Sequence, residues 1–212
     1  MAIFHLRITP LSRASGGNAL QTAARYAATV LVDHRTGAIF DFSKEPGVVH
    51  QEIMGPGNDG CRWQDQQSLW KEAEMAEERK DARVAREYEI ALPHELNAAR
   101  RIELARRWAK FIAERYGNVV DLTVRAPSQG GDPRNHYAKL LATTRVVSSG
   151  GLVVKLPSSV RVASRADRKN YGFCISSGNN LSTKRCTPQI EIPIYDPNWG
   201  CFERGLSGNV IV

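Results

Sequence analysis

The chain has 212 residues, of which 42% are hydrophobic and 24% are charged, enough for one large domain with a sizeable buried core. No run approaches the roughly 18 apolar residues that a membrane span requires, the N-terminus lacks the pattern of a signal peptide, and the four cysteines form no CxxC pair. A membrane protein, a disulfide framework and a zinc ribbon are therefore not indicated. We expect a cytoplasmic protein with reduced thiols.

The net charge of +7 is unevenly distributed along the chain. Residues 121–212 hold twelve basic and six acidic side chains, whereas the preceding residues are nearly balanced. This surplus fits a polyanionic partner, and it fits a basic solubilising surface equally well.

The first quarter of the chain alternates strand and helix patterns. MAIFHLRIT has apolar side chains at every second position, which predicts a half-buried strand. Asn18, with Gln21 three residues later, has the form of a helix N-cap, and the Ala-rich ALQTAARYAATVLV predicts a helix through Val32 that carries Tyr26. GAIFDFS and VVHQEIM, separated by KEPG, predict a hairpin.

The middle of the chain predicts two long helices, each followed by a strand. The dense charges and spaced apolar residues of 63–85 predict an amphipathic helix, and REYEIALP predicts a strand. A second helix is predicted from Asn97 to Tyr116, with Gly117 as its stop signal. In the following VVDLTVRA, alternation predicts that Asp121 and the other polar residues face outward.

The loop PSQGGDPRN returns the chain into YAKLLATTRVV, so these last two strands predict a hairpin. Alternation places Tyr137 and Lys139 on one face of its second strand, close to Arg125 on the first. The element order predicts an α+β domain with a central, mostly antiparallel β-sheet and helices packed on one face. We predict this domain over residues 1–146, followed by a divergent tail, 147–212, that is either irregular β structure or poorly ordered.

Four stretches, MAIFHLRITPLSRASGG, AARYAA, REYEIALPHEL and GGDPRNHYAKLLATTR, resemble in their order and spacing the MobA/MobL family of plasmid-mobilisation relaxases, which are HUH endonuclease-like. The resemblance covers about residues 1–146. It implies a central antiparallel sheet flanked by helices, and single-stranded or hairpin DNA at an origin of transfer as partner, together with other mobilisation proteins. In this family a tyrosine cuts one phosphodiester with the help of a divalent metal, Mg or Mn, and stays attached to the 5′ end.

Two residues match catalytic positions of the family. Tyr26 falls where the family has its nucleophilic tyrosine, and Glu87 at an acidic position beside the metal site. The residues alone leave other readings open, because Tyr26 also suits the packed face of an Ala-rich helix and Glu87 the solvated face of a strand. Where the family has its three metal-binding histidines, this chain has Arg125, Tyr137 and Lys139.

The lost histidines leave two functions open. The resemblance implies catalytic roles for Tyr26 and Glu87, whereas the substitutions predict no bound cofactor and favour a catalytically impaired DNA-binding accessory protein or regulator. Whether the chain is an enzyme, or a decayed gene product, also stays open. The predicted DNA-binding residues are Arg125, Arg134, Tyr137, Lys139 and Arg145.

Overall fold

The structure is a computed structural model that describes residues 5–57, 63, 65–128, 130–148 and 151–156. The chain divides into two compact units, 1–162 and 163–212, and all described residues belong to the first. The tail prediction for residues 157–212 lies outside the described residues.

Five antiparallel strands form the central sheet. Their order across the sheet is β1 (Leu6–Ser12), β5 (Arg83–Leu92), β7 (His136–Thr143), β6 (Val120–Arg125) and β4 (Val48–Met54). Two smaller pairs stand apart from it, β2 (Val30–Asp33) with β3 (Ala38–Asp41), and β8 (Arg145–Ser148) with β9 (Gly151–Lys155). The predicted α+β class and the antiparallel sheet are confirmed.

Three α-helices flank the sheet, and they lie on both faces rather than on one. The helices α1 (Ala19–Ala27) and α2 (Gln66–Met75) form one core cluster with Leu141 of β7. The third, α3 (Ala98–Tyr116), packs against β4, β5, β6 and β7. Leu140, which alternates with Leu141, is buried outside the first cluster, so α3 covers the opposite face. No helix in the described part of the chain is long and apolar enough to cross a membrane.

The first helix ends five residues earlier than its pattern predicts. Ala28 adopts the left-handed conformation, with φ of 52°, and the β-branched run that follows forms β2 instead of more helix. The partner of β3 is therefore β2, and the predicted hairpin between GAIFDFS and VVHQEIM is wrong, because β4 joins the edge of the central sheet next to β6. Tyr26 consequently lies in the last turn of α1.

The second helix is also shorter than predicted, and a distant arginine explains its end. Arg13, which precedes α1, donates hydrogen bonds to the backbone carbonyls of Glu74, Glu77 and Arg79 at 2.6–3.1 Å. The three carbonyls can all reach the guanidinium only if the chain leaves the helix after Met75. The free energy of this tertiary contact therefore outweighs the helix propensity of the residues that follow. By contrast, the predicted start of α3 at Asn97, which caps the helix, and its predicted stop at Gly117 are confirmed.

Strand β6 is buried on both faces, which corrects the prediction that Asp121 faces outward. Asp121 is 3% exposed and accepts hydrogen bonds from the Gln66 amide and the Trp70 indole of α2 at 2.9–3.0 Å. Burial raises the pKa of this carboxyl from 3.8 to about 6, although both hydrogen bonds act in the opposite direction. Compared with the unfolded chain, the folded protein therefore favours the neutral form of this carboxyl.

This raised pKa predicts that ionised Asp121 costs stability at neutral pH. The cost is absent below about pH 4, grows as the pH rises through 6, and amounts to about 3 kcal/mol of unfolding free energy. Asp121→Asn cannot ionise, so its stability relative to the unsubstituted chain should rise by that amount between pH 4 and 7 in urea unfolding followed by circular dichroism. If the difference in unfolding free energy between the two chains stayed constant with pH, burial would not be raising the pKa of Asp121.

Candidate functional site

A row of charged residues of alternating sign crosses one face of the sheet. Arg7 of β1 pairs in register with Glu89 of β5, and Glu89 pairs in turn with Lys139 of β7. Directly opposed residues of antiparallel strands point to the same side, so the three side chains form a cross-strand row. The C-terminal end of α1 lies beside this row, and together they form a cleft of about 430 Å³.

The ammonium of Lys139 lies at the centre of this cleft. Its Nζ donates to Glu87 Oε1 at 3.0 Å and to Glu89 Oε2 in a short ion pair. The same atom is 5.0 Å from the ring centroid of Tyr26 and 5.9 Å from that of Tyr137, within the range of cation–π attraction. Two carboxylates and two aromatic rings therefore surround one ammonium.

Tyr26 reaches the cleft from the last turn of α1. Burial of its side chain is the main reason why its pKa is raised above the ordinary range, and a hydrogen bond with Glu87 adds to the effect. The α1 C-terminus, the negative end of the helix dipole, also disfavours a phenolate. Tyr26 is thus held as a neutral phenol near the Glu87 carboxylate.

Arg125 joins the helix that carries Tyr26 to the sheet. Its guanidinium donates to the carbonyl oxygens of Arg25 and Tyr26 at 2.8 and 3.0 Å, and to that of Pro46 at 2.8 Å. Arg125 is only 9% exposed, and Glu45 lies 3.7 Å away as its ionic partner. Its donors therefore stabilise the end of α1 and the loop before β4.

The structure brings five of the predicted site residues into this cleft and leaves two outside. Those lining it are Tyr26, Glu87, Arg125, Tyr137 and Lys139. Arg134 is exposed in the loop before β7 and binds Asp132, whose pKa is thereby lowered to about 2. Arg145 lies beyond the opposite end of β7 and binds Glu77 and the carbonyls of Ala76 and Val153.

Sequence patterns missed part of the lining. Alternation in the first strand placed Arg7 and Thr9 on its outward face, but it did not predict which strand pairs with it. In the sheet they lie opposite Glu89 and Glu87. Arg25 precedes Tyr26 directly, and its guanidinium lies 5.5 Å above the Phe42 ring. No pattern placed Glu45 here, because it arrives through a loop.

A larger cleft of about 700 Å³ lies at the other end of α1. Its buried charges already bind one another, since Arg13 Nε donates to Glu74 Oε2 at 3.0 Å and Glu74 Oε1 accepts from the Ala19 amide at 2.8 Å. This arrangement fixes the start of α1, and the residues described as lining the cleft include no hydroxyl or thiol side chain. The Tyr26 cleft is therefore the stronger candidate.

The lining of the Tyr26 cleft does not fit a divalent metal ion. Arg125 and Lys139 bring positive charge where a metal would need neutral or anionic ligands, and the Lys139 ammonium already occupies the carboxylates. Within the described ranges, no group of three or more His, Cys, Asp or Glu side chains is arranged to hold a metal ion.

Fold and cleft together define an α+β protein with a five-stranded antiparallel sheet and a tyrosine-containing, cation-rich cleft at the end of its first helix. A model of the MobA/MobL family matches residues 18–184, and the chain belongs to this family.

Similar proteins are named as mobilization or conjugal transfer proteins. A mobilization protein MobL of Acidithiobacillus ferridurans is 39% identical over 127 residues, covering 60% of this chain and 33% of that protein. A conjugal transfer protein TraA of Agrobacterium fabrum is 28% identical over 166 residues, covering 73% of this chain and 14% of that protein. The chain thus spans a third or less of these relatives.

The fold also matches a solved structure described as "Molecular Basis of Vancomycin Resistance Transfer in Staphylococcus aureus". The TM-score is 0.66 at 26% identity, and the match covers 79% of this chain and 86% of the other.

Proposed function

We propose that this chain acts in plasmid mobilisation by binding single-stranded or hairpin DNA at an origin of transfer, together with other mobilisation proteins. The observation that carries the proposal is the Lys139 ammonium beside the rings of Tyr26 and Tyr137, in a cleft that Arg7 and Arg25 also line. Cations of this kind attract phosphates, and aromatic rings stack on unpaired bases. The similarity to proteins named for mobilization and conjugal transfer supports this role.

The arginines differ in how freely they can contact DNA. Arg7 and Arg25 are exposed at the cleft, and Arg134 is exposed in the loop before β7. Arg125 and Arg145 bind backbone carbonyls and carboxylates of the protein itself. Lys139 also binds two carboxylates, but these use only two of its three N–H donors. We therefore assign the main phosphate contacts to Arg7, Arg25 and Lys139, with Arg134 contacting DNA outside the cleft.

The double variant Arg7→Ala/Arg25→Ala is expected to bind a single-stranded origin oligonucleotide about 20-fold more weakly, because two phosphate contacts are lost. The slope of log affinity against log salt should fall by about 1.4, since each contact to single strands contributes about 0.7. Fluorescence anisotropy between 50 and 200 mM salt, roughly the range where such contacts show, measures both quantities.

The matched control is Arg79→Ala, because Arg79 is an exposed arginine, paired with Asp81, that does not line the cleft. It should bind DNA like the unsubstituted chain. Equal losses in both variants would indicate a diffuse charge effect, and no binding by the unsubstituted chain even at low salt would refute the proposal.

A second candidate function is nicking by Tyr26, favoured by its hydrogen bond with Glu87. In this reaction the phenol proton would pass by way of Glu87 to solvent, and the resulting Tyr26 phenolate would attack phosphorus as the bond to the 3′ oxygen breaks. The 3′ oxygen would leave with a proton from water, and the 5′ phosphate would stay on Tyr26. The raised pKa of Tyr26 leaves little phenolate near neutral pH, and the lining of the cleft does not fit a metal ion that would activate the phosphate. Binding is therefore the favoured function.

If nicking occurs, its rate should rise with pH across the range from 7 to about 9.5, because the phenolate fraction of a group with a raised pKa grows about tenfold per unit. Labelled single-stranded origin DNA with Mg²⁺ or Mn²⁺ would show the covalent adduct as a shifted band on a denaturing gel. An adduct that forms with the unsubstituted chain and not with Tyr26→Phe would establish nicking and refute the binding-only function.

A further inference from the structure

We propose that the ammonium of Lys139 is the resident cation of the Tyr26 cleft, and that the cleft therefore binds a DNA phosphate without a divalent metal ion. The inference rests on the proposed DNA-binding function for its ligand. The exclusion of a divalent metal ion depends only on the geometry of the protein without DNA.

The strand register fixes the ammonium between the two carboxylates. Glu89 is the direct cross-strand partner of Lys139, and Glu87 lies two residues away on the same strand and face. Side-chain exposures of 15% for Lys139, 22% for Glu87 and 32% for Glu89 show that the cluster is partly shielded from water. Lys139 is thus held by its neighbours instead of extending freely into solvent.

An ammonium in this position can bind the two carboxylates and a DNA phosphate at the same time. It has three N–H donors, and two of them bind Glu87 and Glu89. Among the residues that the structure describes, no further acceptor of Lys139 is found, so the third donor is available to a phosphate oxygen. The carboxylates hold the cation in place, and the cation reduces their repulsion of DNA.

A divalent ion has no comparable position in this cleft. It would have to displace the Lys139 ammonium from Glu87 and Glu89 and remain close to it and to the Arg125 guanidinium. Both are positive charges that repel a metal ion at short range. The pair of carboxylates becomes a cation ligand only when the charge of Lys139 is removed.

The test uses the full chain and two independent measurements. A fluorescein-labelled single-stranded oligonucleotide is titrated in EDTA, in Mg²⁺ and in Mn²⁺ at matched ionic strength, and we expect dissociation constants within about twofold of one another. Tightening by about tenfold or more in Mn²⁺ would overturn the proposal. Electron paramagnetic resonance of Mn²⁺ with DNA-free protein gives the second measurement.

In the second measurement, Lys139→Gln should bind Mn²⁺ at least about tenfold more tightly than the unsubstituted chain, because Glu87 and Glu89 lose their counter-charge. Lys139→Arg, which keeps the charge, should gain no Mn²⁺ affinity. The triple variant Lys139→Gln/Glu87→Gln/Glu89→Gln should lose the affinity that Lys139→Gln gains.

Two outcomes would refute the proposal that Lys139 is the resident cation. One is Mn²⁺ binding by the unsubstituted chain that Glu87→Gln abolishes, and another is a folded Lys139→Gln variant without added Mn²⁺ affinity. If circular dichroism shows that Lys139→Gln does not fold, the two titrations of the unsubstituted chain decide. Absence of DNA binding under every condition would refute the proposed function alone, since the Mn²⁺ titration still judges the cation.

Discussion

Replacement of Arg125 by alanine is expected to lower the free energy of unfolding by about 4 kcal/mol, because three backbone carbonyls lose a charged donor at once. Two of these carbonyls, those of Arg25 and Tyr26, end α1, where no intrahelical partner exists and where a positive charge is favourable. The third belongs to Pro46 in the loop before β4. Urea unfolding followed by circular dichroism measures the loss.

Arg106→Ala is the matched control, since Arg106 is an exposed arginine that pairs with a carboxylate, Glu52, at 2.7 Å. Its loss should cost less than about 1 kcal/mol. Arg125→Lys should fall between the two, because an ammonium keeps the charge but lacks the planar fork that reaches three carbonyls. A cost for Arg125→Ala no larger than that for Arg106→Ala would show that Arg125 does not hold the end of α1.

The role of Arg125 connects stability to the Tyr26 cleft. The guanidinium binds the carbonyl of Tyr26 itself, so the position of this side chain relative to Lys139 depends on the same contact. Arg125 thus fixes the backbone that carries the tyrosine.

Local patterns sufficed where one segment determines the structure. The Asn18 cap, the start of α3 at Asn97 and its stop at Gly117 are confirmed because each depends on residues only a few positions apart. The strand pairing of the last hairpin is also confirmed, with Arg125 opposite Tyr137 in the register. That hairpin alone was enough to bring three of the cleft residues together.

The sequence did not reveal structure that distant residues impose. Arg13 ends α2 from about sixty positions away, and Gln66 and Trp70 bury Asp121 from another element. The side chain of Arg125 faces the cleft as alternation predicts, yet its partners lie on α1 and in a loop. Charge and periodicity identify which side chains share a face, and they carry no information about what packs onto that face.

The triple variant Arg125→His/Tyr137→His/Lys139→His is expected to create a metal site in a chain whose cleft does not fit one. Arg125 and Tyr137 are direct cross-strand partners, and Lys139 is two residues further on the same face, so three imidazoles would converge. Replacing Lys139 also frees Glu87 and Glu89 to accept hydrogen bonds from the imidazoles. Calorimetry with Mn²⁺ should give a dissociation constant on the order of micromolar, about 8 kcal/mol of binding free energy.

The same variant should be less stable without metal and regain stability with it. Its loss of Arg125 removes the contacts to the end of α1, whereas Mn²⁺ at about 100 times its dissociation constant would return about 2.7 kcal/mol. Arg125→His alone is the control, because the native His136 points to the opposite face from Tyr137 and cannot join the site. Its melting temperature should not respond to Mn²⁺, and an equal response in both variants would mean that the strand register does not determine the site.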